Sequence, residues 1–127
     1  MSLNSQLVVS ILLLTYKRPL LLRRAIKCVL NQTYPHFKLH IYDDASGDET
    51  SKVVDEFSKT DSRIIYHCNK NNLGPIGNSA QALEQVNTPF FAFFADDDVF
   101  LPQHIEFAME GFKKYPQAGF ASNQIVS

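Results

Sequence analysis

The sequence is short of several features that would direct its reading elsewhere. It holds two cysteines, Cys28 in a helical pattern and Cys68 in a strand pattern. They lack metal-ligand spacing, so both are read as structural thiols. Neither sign of charge dominates: twelve basic and thirteen acidic residues leave a formal charge of -1. That excludes the clustered basic surface of a phosphate-backbone binder. The longest apolar runs, Leu7 to Leu14 and Phe90 to Ala95, fall short of the roughly 20 residues that span a bilayer. The first run has no basic leader and no small-residue cleavage site, so a cytoplasmic chain is expected, with the inner face of the membrane as a location for a full-length protein. Internal repeats, low-complexity tracts and interdomain linkers are also absent. What remains is 127 residues, 45% hydrophobic and 20% charged, a composition that fits one globular domain over residues 1–127.

The apolar pattern alternates between two periods. Leu7 to Leu14 is nearly continuous and rich in branched side chains, the mark of a strand buried on both faces of a parallel sheet. From Leu20 to Asn31 the period becomes helical, with Leu22, Ala25, Ile26, Val29 and Leu30 on one face. Lys38 to Tyr42 predicts a second strand, and Arg63 to Cys68 a third. Between them, Ser46 and Glu49 have capping-box spacing before a helix buried through Val53, Val54 and Phe57. A loop from Asn69 to Gly74 leads to a third helix, with Ile76, Ala80, Leu83 and Val86 assigned to its inner face. Pro89 to Ala95 predicts a fourth strand, Pro102 a fourth helix burying Ile105, Ala108, Met109 and Phe112, and Gly119 to Ile125 a fifth strand. Such alternation predicts an α/β fold, a mostly parallel open sheet with helices on both faces, which binds ligands beyond the carboxyl ends of its strands.

Three polar segments follow strands there: Thr15-Tyr16-Lys17-Arg18-Pro19, Asp43-Asp44 and Asp96-Asp97-Asp98. Three consecutive carboxylates behind the most apolar strand repel one another unless a cation or donors compensate. A hard divalent ion such as Mg2+ or Mn2+ suits them, because it takes oxygen ligands and completes its shell with phosphate oxygens. Taken singly, each segment also has a plain reading. The triplet can be an acidic turn before a helix, Asp43-Asp44 a turn, Tyr16 a loop aromatic, and Lys17 with Arg18 a solvated pair.

Taken together, Leu14-Thr15-Tyr16-Lys17-Arg18-Pro19, Asn31-Gln32-Thr33-Tyr34-Pro35, Asp43-Asp44-Ala45-Ser46-Gly47-Asp48 and Ala95-Asp96-Asp97-Asp98-Val99-Phe100-Leu101-Pro102 resemble the family 2 inverting glycosyltransferases of GT-A (Rossmann-like) fold. Order and spacing match over essentially the whole chain. The resemblance implies that Thr15 and Tyr16 line the nucleotide base pocket and that Asp44 accepts from the base imide. The base is then uracil or thymine, and the donor a UDP- or dTDP-sugar. Asp97 would hold the ribose or its phosphate side, and Asp98, with a contribution from Asp96, would bind Mn2+ or Mg2+ in a DxD-like motif. The general base is then expected beyond Ser127, with the acceptor-binding part, so the resemblance implies that this chain would be a truncated donor domain of a metal-dependent inverting transferase, of a kind found in polysaccharide biosynthesis. Its partners would be the nucleotide-sugar and a carbohydrate or glycolipid acceptor. An uncovered last strand adds homo-oligomerisation as an expectation. The chain departs from the family pattern at Lys17, where Asn is common, at Ala95, where many members carry a further Asp, and around Asn78, which lacks the usual neighbouring Arg.

Three alternatives stay open. A catalytically silent sugar-nucleotide-binding domain would share all these residues. A receiver-type magnesium-binding signalling module would want an acidic pair after the first strand, where Thr15 and Tyr16 stand. A sugar nucleotidyltransferase would need a glycine-rich loop at Thr15 to Pro19, which contains no glycine.

Overall fold

The computed structural model describes residues 7–119, and in them strand and helix alternate as the periodicities predict. Four strands, β1 (Val9–Thr15), β2 (Phe37–Asp43), β3 (Ile64–Cys68) and β4 (Phe90–Ala95), form one parallel sheet in the order β3-β2-β1-β4. Parallel neighbours cannot be joined by a tight turn. The crossovers are α1 (Pro19–Leu30), α2 (Thr50–Ser58) and α3 (Gly74–Glu84), and α4 (His104–Lys114) follows β4.

The central strand explains its own composition. Val9, Ile11 and Leu13 of β1 pack into a core with Leu22, Ala25, Ile26 and Val29 of α1, Val53 and Val54 of α2, and Ile105 of α4. On the other face, Leu12 packs with Tyr42 and with Ala82 of α3. A strand covered on both sides has no solvent face, so its apolar residues run on without alternation. The α/β class and the helices on both faces therefore stand as expected.

Several local expectations do not. The third helix turns a different face inward: Ile76 is 87% exposed and Leu83 43%, Ala80 is also exposed, and Asn78 and Ala82 are the buried positions. The sheet selects a small residue and a hydrogen-bonding one, because Asn78 Nδ2 donates to the Tyr42 carbonyl (3.1 Å) while Ala82 lies against Tyr42 and Leu12. Periodicity weighs side-chain size, and here hydrogen bonding and close approach decide. The Ser46 and Glu49 capping box also does not form. Asp48 Oδ1 instead accepts from the Thr50 N–H (2.9 Å) and hydroxyl (2.5 Å) at the start of α2, and Ser46 is engaged elsewhere. The fourth helix begins at His104, with Pro102 in the preceding turn. The fifth strand falls almost wholly on residues 120–127, outside the described residues.

The strand order decides where a ligand fits. The chain fills one side of β1 with β2 and β3, then crosses to the other side to lay down β4. The strand order therefore reverses at β1, and such a switch point is where ligands bind beyond the carboxyl ends of the strands.

Candidate functional site

A cavity of about 540 Å³ lies at that switch point. The end of β1 and its following loop supply Thr15, Tyr16 and Arg18; β4 and its end supply Phe93 and Asp96; Asp44 follows β2; Pro75 and Asn78 come from the first turns of α3. Residues more than 60 positions apart thus meet because parallel strands all deliver their carboxyl ends to one edge.

Asp44 is buried and fastens the start of α3. Its Oδ1 accepts from Asn69 Nδ2 (2.9 Å) and the Leu73 N–H (2.7 Å), and its Oδ2 from the Gly74 N–H (2.9 Å). A carboxylate offers about four acceptor positions; three are filled, and Oδ2 keeps one. Gly74 has φ +80°, a conformation glycine adopts without steric cost, so it can turn its N–H back to the carboxylate. Asn69 and Asn72, read from sequence only as loop formers, are part of this clamp: Asn72 Nδ2 donates to the Asp44 carbonyl (3.1 Å).

Asp43 holds the other side of the same turn. Its Oδ1 accepts from the Ser46 N–H (3.0 Å) and hydroxyl (2.6 Å), and its Oδ2 from the Tyr66 hydroxyl. Burial, then the hydrogen bond to Asp43, pushes the Tyr66 phenol well above its usual range. Ser46 Oγ accepts in turn from the Lys17 N–H (2.8 Å), which holds Lys17 at φ +53°. That twist sets the loop carrying Tyr16, whose ring is 42% exposed at the rim with Lys17 Nζ 5.4 Å from its centroid. Sequence reading did not find Ser46 or Tyr66 in this role; a hydroxyl three residues after an Asp at a strand end was the available signal.

The acidic triplet divides. Asp96 is buried, with Oδ2 accepting from the Thr15 hydroxyl (3.0 Å) and Oδ1 from Arg18 Nη1 (3.3 Å). Arg18 also lies 3.7 Å from Asp97 Oδ2, so it is no freely solvated partner of Lys17. Asp97 and Asp98 are exposed. Among the described residues no three His, Cys, Asp or Glu side chains are grouped to hold a metal by themselves.

The segment after the triplet is fastened by the motif at the end of α1. Gln32 is buried; its Nε2 donates to the Leu101 carbonyl (2.9 Å) and its Oε1 accepts from the Ile105 N–H (3.0 Å). The Thr33 N–H donates to the Pro102 carbonyl (2.8 Å), and the Cys28 thiol to the Phe100 carbonyl (3.1 Å). The Asn31 to Pro35 motif is thus the mount for residues 100–105 and lies outside the cavity.

With that geometry in view, the comparison with known sequences is decisive: the profile of Glycosyl transferase family 2 matches residues 10–126. The chain belongs to this family. It is 39% identical over 93 residues to the GalNAc(5)-diNAcBac-PP-undecaprenol beta-1,3-glucosyltransferase of Campylobacter jejuni, covering 72% of this chain and 30% of that protein. It is 35% identical over 99 residues to the UDP-Glc:alpha-D-GlcNAc-diphosphoundecaprenol beta-1,3-glucosyltransferase WfgD of Escherichia coli, covering 78% and 38%. The chain thus spans about a third of the length of these relatives. Among solved structures, Staphylococcus aureus TarS 1-349 in complex with UDP-GlcNAc superposes with a TM-score of 0.78 at 20% identity, over 91% of this chain and 37% of that one. The mannosyltransferase PcManGT of Pyrobaculum calidifontis, in complex with GDP-Man and Mn2+, superposes with a TM-score of 0.67 at 19% identity, over 72% and 28%. These likenesses show the GT-A fold.

For a family 2 domain, the residues singled out from sequence fall as follows. Thr15, Tyr16, Asp44 and Asp96 line one cavity. Asp97 and Asp98 follow Asp96 on the exposed turn beyond β4 and are not in its lining. Asn78, given no role from sequence, is buried in the cavity wall, with its Oδ1 accepting from Asn69 Nδ2 (3.1 Å). No described helix is long and apolar enough to cross a membrane.

Proposed function

We propose that this family 2 domain binds a UDP-sugar, or a dTDP-sugar, with a divalent metal, as the donor part of a transferase that inverts the anomeric centre. The observation that carries the reading is the single acceptor position left on Asp44 Oδ2, inside a cavity rimmed by Tyr16. A uracil or thymine ring offers one imide N–H to such an acceptor, and Tyr16 offers a face for the ring to pack on. Thr15 lines the base pocket, and Asp97 takes the ribose or phosphate side. The UDP-GlcNAc bound by TarS supports the choice of nucleotide.

The donor set fits a metal bound jointly with the ligand. Mg2+ and Mn2+ need one or two carboxylates when phosphate oxygens complete the shell, and Asp98 carries an exposed carboxylate two residues after Asp96, which lines the cavity. Asp96 accepts one hydrogen bond on each oxygen and so keeps an acceptor position on each for the ion. When bound, the ion neutralises charge on the departing nucleoside diphosphate. The residues of this chain bind and orient the donor; deprotonation of the acceptor falls to a carboxylate outside residues 7–119. By likeness to the Campylobacter and Escherichia enzymes, the acceptor is a saccharide carried on a polyprenyl diphosphate.

Calorimetric titration of UDP, with and without Mn2+, into the wild-type chain and the Asp44→Asn and Asp98→Ala variants tests the reading. Wild type should bind more tightly with metal. Asp98→Ala should lose only the metal enhancement, and Asp44→Asn should weaken binding in both conditions, because the amide presents a donor where the imide also donates. A folded wild-type chain with no affinity for UDP or dTDP under either condition would overturn the proposal.

A further inference from the structure

Arg18 is the one basic side chain that lines the cavity among the described residues. Its neighbour Lys17 goes elsewhere, its ammonium placed over the Tyr16 ring. The other source of positive potential is the N-terminus of α3, and Asp44 already uses it by accepting the Leu73 and Gly74 N–H groups. The carboxylates lining the cavity, Asp44 and Asp96, would repel an anionic ligand. An anion entering this space therefore has a single protein cation to meet.

That cation is held loosely. The Arg18 side chain is 53% exposed, and its ion pairs to Asp96 and Asp97 are 3.3 and 3.7 Å long, both through Nη1. The pair to Asp97 is exposed at both ends and contributes little, whereas the Asp96 carboxylate is only 8% exposed. Asp96 has a second donor in the Thr15 hydroxyl, so it keeps a hydrogen bond if the guanidinium moves. A guanidinium presents five N–H donors in a planar fork suited to phosphate oxygens.

We infer that Arg18 is the diphosphate-binding residue of this cavity, held on Asp96 and Asp97 in the empty site and transferred to the phosphates when the nucleotide enters. This rests on the nucleotide-sugar reading above and adds to it the group that meets the phosphates. Transfer also releases Asp96 Oδ1 and Asp97 Oδ2, so one movement satisfies the anion and frees two carboxylate oxygens beside it.

The test compares uridine, UMP and UDP on the wild-type chain and on Arg18→Gln, Arg18→Lys and Lys52→Gln, at fixed ionic strength with a chelator present. Calorimetry serves for the tighter ligands and NMR chemical-shift titration for the weaker, and circular dichroism confirms folding. Losing a charge-assisted hydrogen bond corresponds to about a tenfold loss of affinity or more. Arg18→Gln should therefore bind UDP about tenfold more weakly while its affinity for uridine stays within about twofold of wild type. Arg18→Lys should recover part of the loss, and Lys52→Gln, an exposed charge on α2 away from the cavity, should match wild type. The assignment is overturned if Arg18→Gln binds UDP as wild type does, or if uridine weakens by the same factor as UDP. A wild-type chain that binds none of the three removes the nucleotide reading and this assignment with it. Nucleoside binding that survives while only the Arg18 effect is missing sinks this assignment alone.

Discussion

Replacing Gln32 by alanine should destabilise the domain although Gln32 touches no part of the cavity. The side chain is buried and ties the end of α1 to the start of α4 through two hydrogen bonds. It accepts the Ile105 N–H (3.0 Å) and donates to the Leu101 carbonyl (2.9 Å). Ile105 lies in the first turn of α4, where N–H groups have no partner within the helix, and α4 has no side-chain cap of its own. Gln32 therefore caps α4 from a distance. The Leu101 carbonyl keeps the His104 N–H (3.0 Å), so the Ile105 N–H is the group left unpaired, and a buried polar group left so costs about 1–3 kcal/mol. Urea unfolding measures it directly, and an unchanged m-value would show that the native state alone was affected. Hydrogen exchange should show the Ile105 amide losing more protection than amides of β1. Gln32→Glu keeps the acceptor but sets a carboxylate against the Leu101 carbonyl, so part of its loss should return on acidification. A Gln32→Ala variant within about 0.5 kcal/mol of wild type would refute the capping argument, since that is the range of a neutral surface change.

Three further outcomes follow from other parts of the fold. Ala45 sits at φ +65°, where a side chain costs roughly 1–2 kcal/mol, so Ala45→Gly should raise the unfolding free energy by about 1 kcal/mol; a loss in thermal or urea melts would contradict that. Leu13→Ala, in the two-sided strand, should cost about 2–5 kcal/mol, whereas Ile76→Ala, on the exposed face of α3, should stay within about 0.5 kcal/mol; equal losses would mean that α3 is rotated from the orientation described here. His40 and His67 share a ring-nitrogen hydrogen bond (3.0 Å), which needs at least one neutral ring. Burial lowers both pKa values, with His67 and Lys38 adding to the effect on His40. Their contribution is complete above the ordinary histidine value of about 6.5 and is lost as pH falls through the lower folded values, because the unfolded chain takes up protons first. Urea melts should show less stability at pH 5.5 than at pH 7.5, with a flatter dependence in His67→Asn; a wild-type chain equally stable at both would rule the effect out.

The core helices and the buried strand were legible because burial imposes a period. Leu22, Ala25, Ile26 and Val29 recur at helical spacing and are all buried; the run in β1 is unbroken because both its faces are covered. The face of α3 was not legible, since Asn78 and Ala82 are buried for a hydrogen bond and a close approach, and neither is encoded in hydrophobicity. The start of α2 was misread for a similar reason. Ser46 had the right spacing for a cap, but Asp43 and Lys17, distant in sequence or already at the strand end, compete for its hydroxyl and N–H.

The same division runs through the site. The sequence by itself determined the α/β alternation, the membership that its four motifs announce, and the fact that Thr15, Tyr16, Asp44 and Asp96 all lie at or just after strand ends, because strand ends and apolar periods are local properties of the chain. Only the tertiary structure decided the partners: Asp44 on the start of α3, Asp96 between Thr15 and Arg18, and Gln32 on α4. Each of those is a hydrogen bond or ion pair between segments at least 30 residues apart, and the strand order that brings such segments together is set by packing both faces of one sheet, which no short stretch of sequence contains.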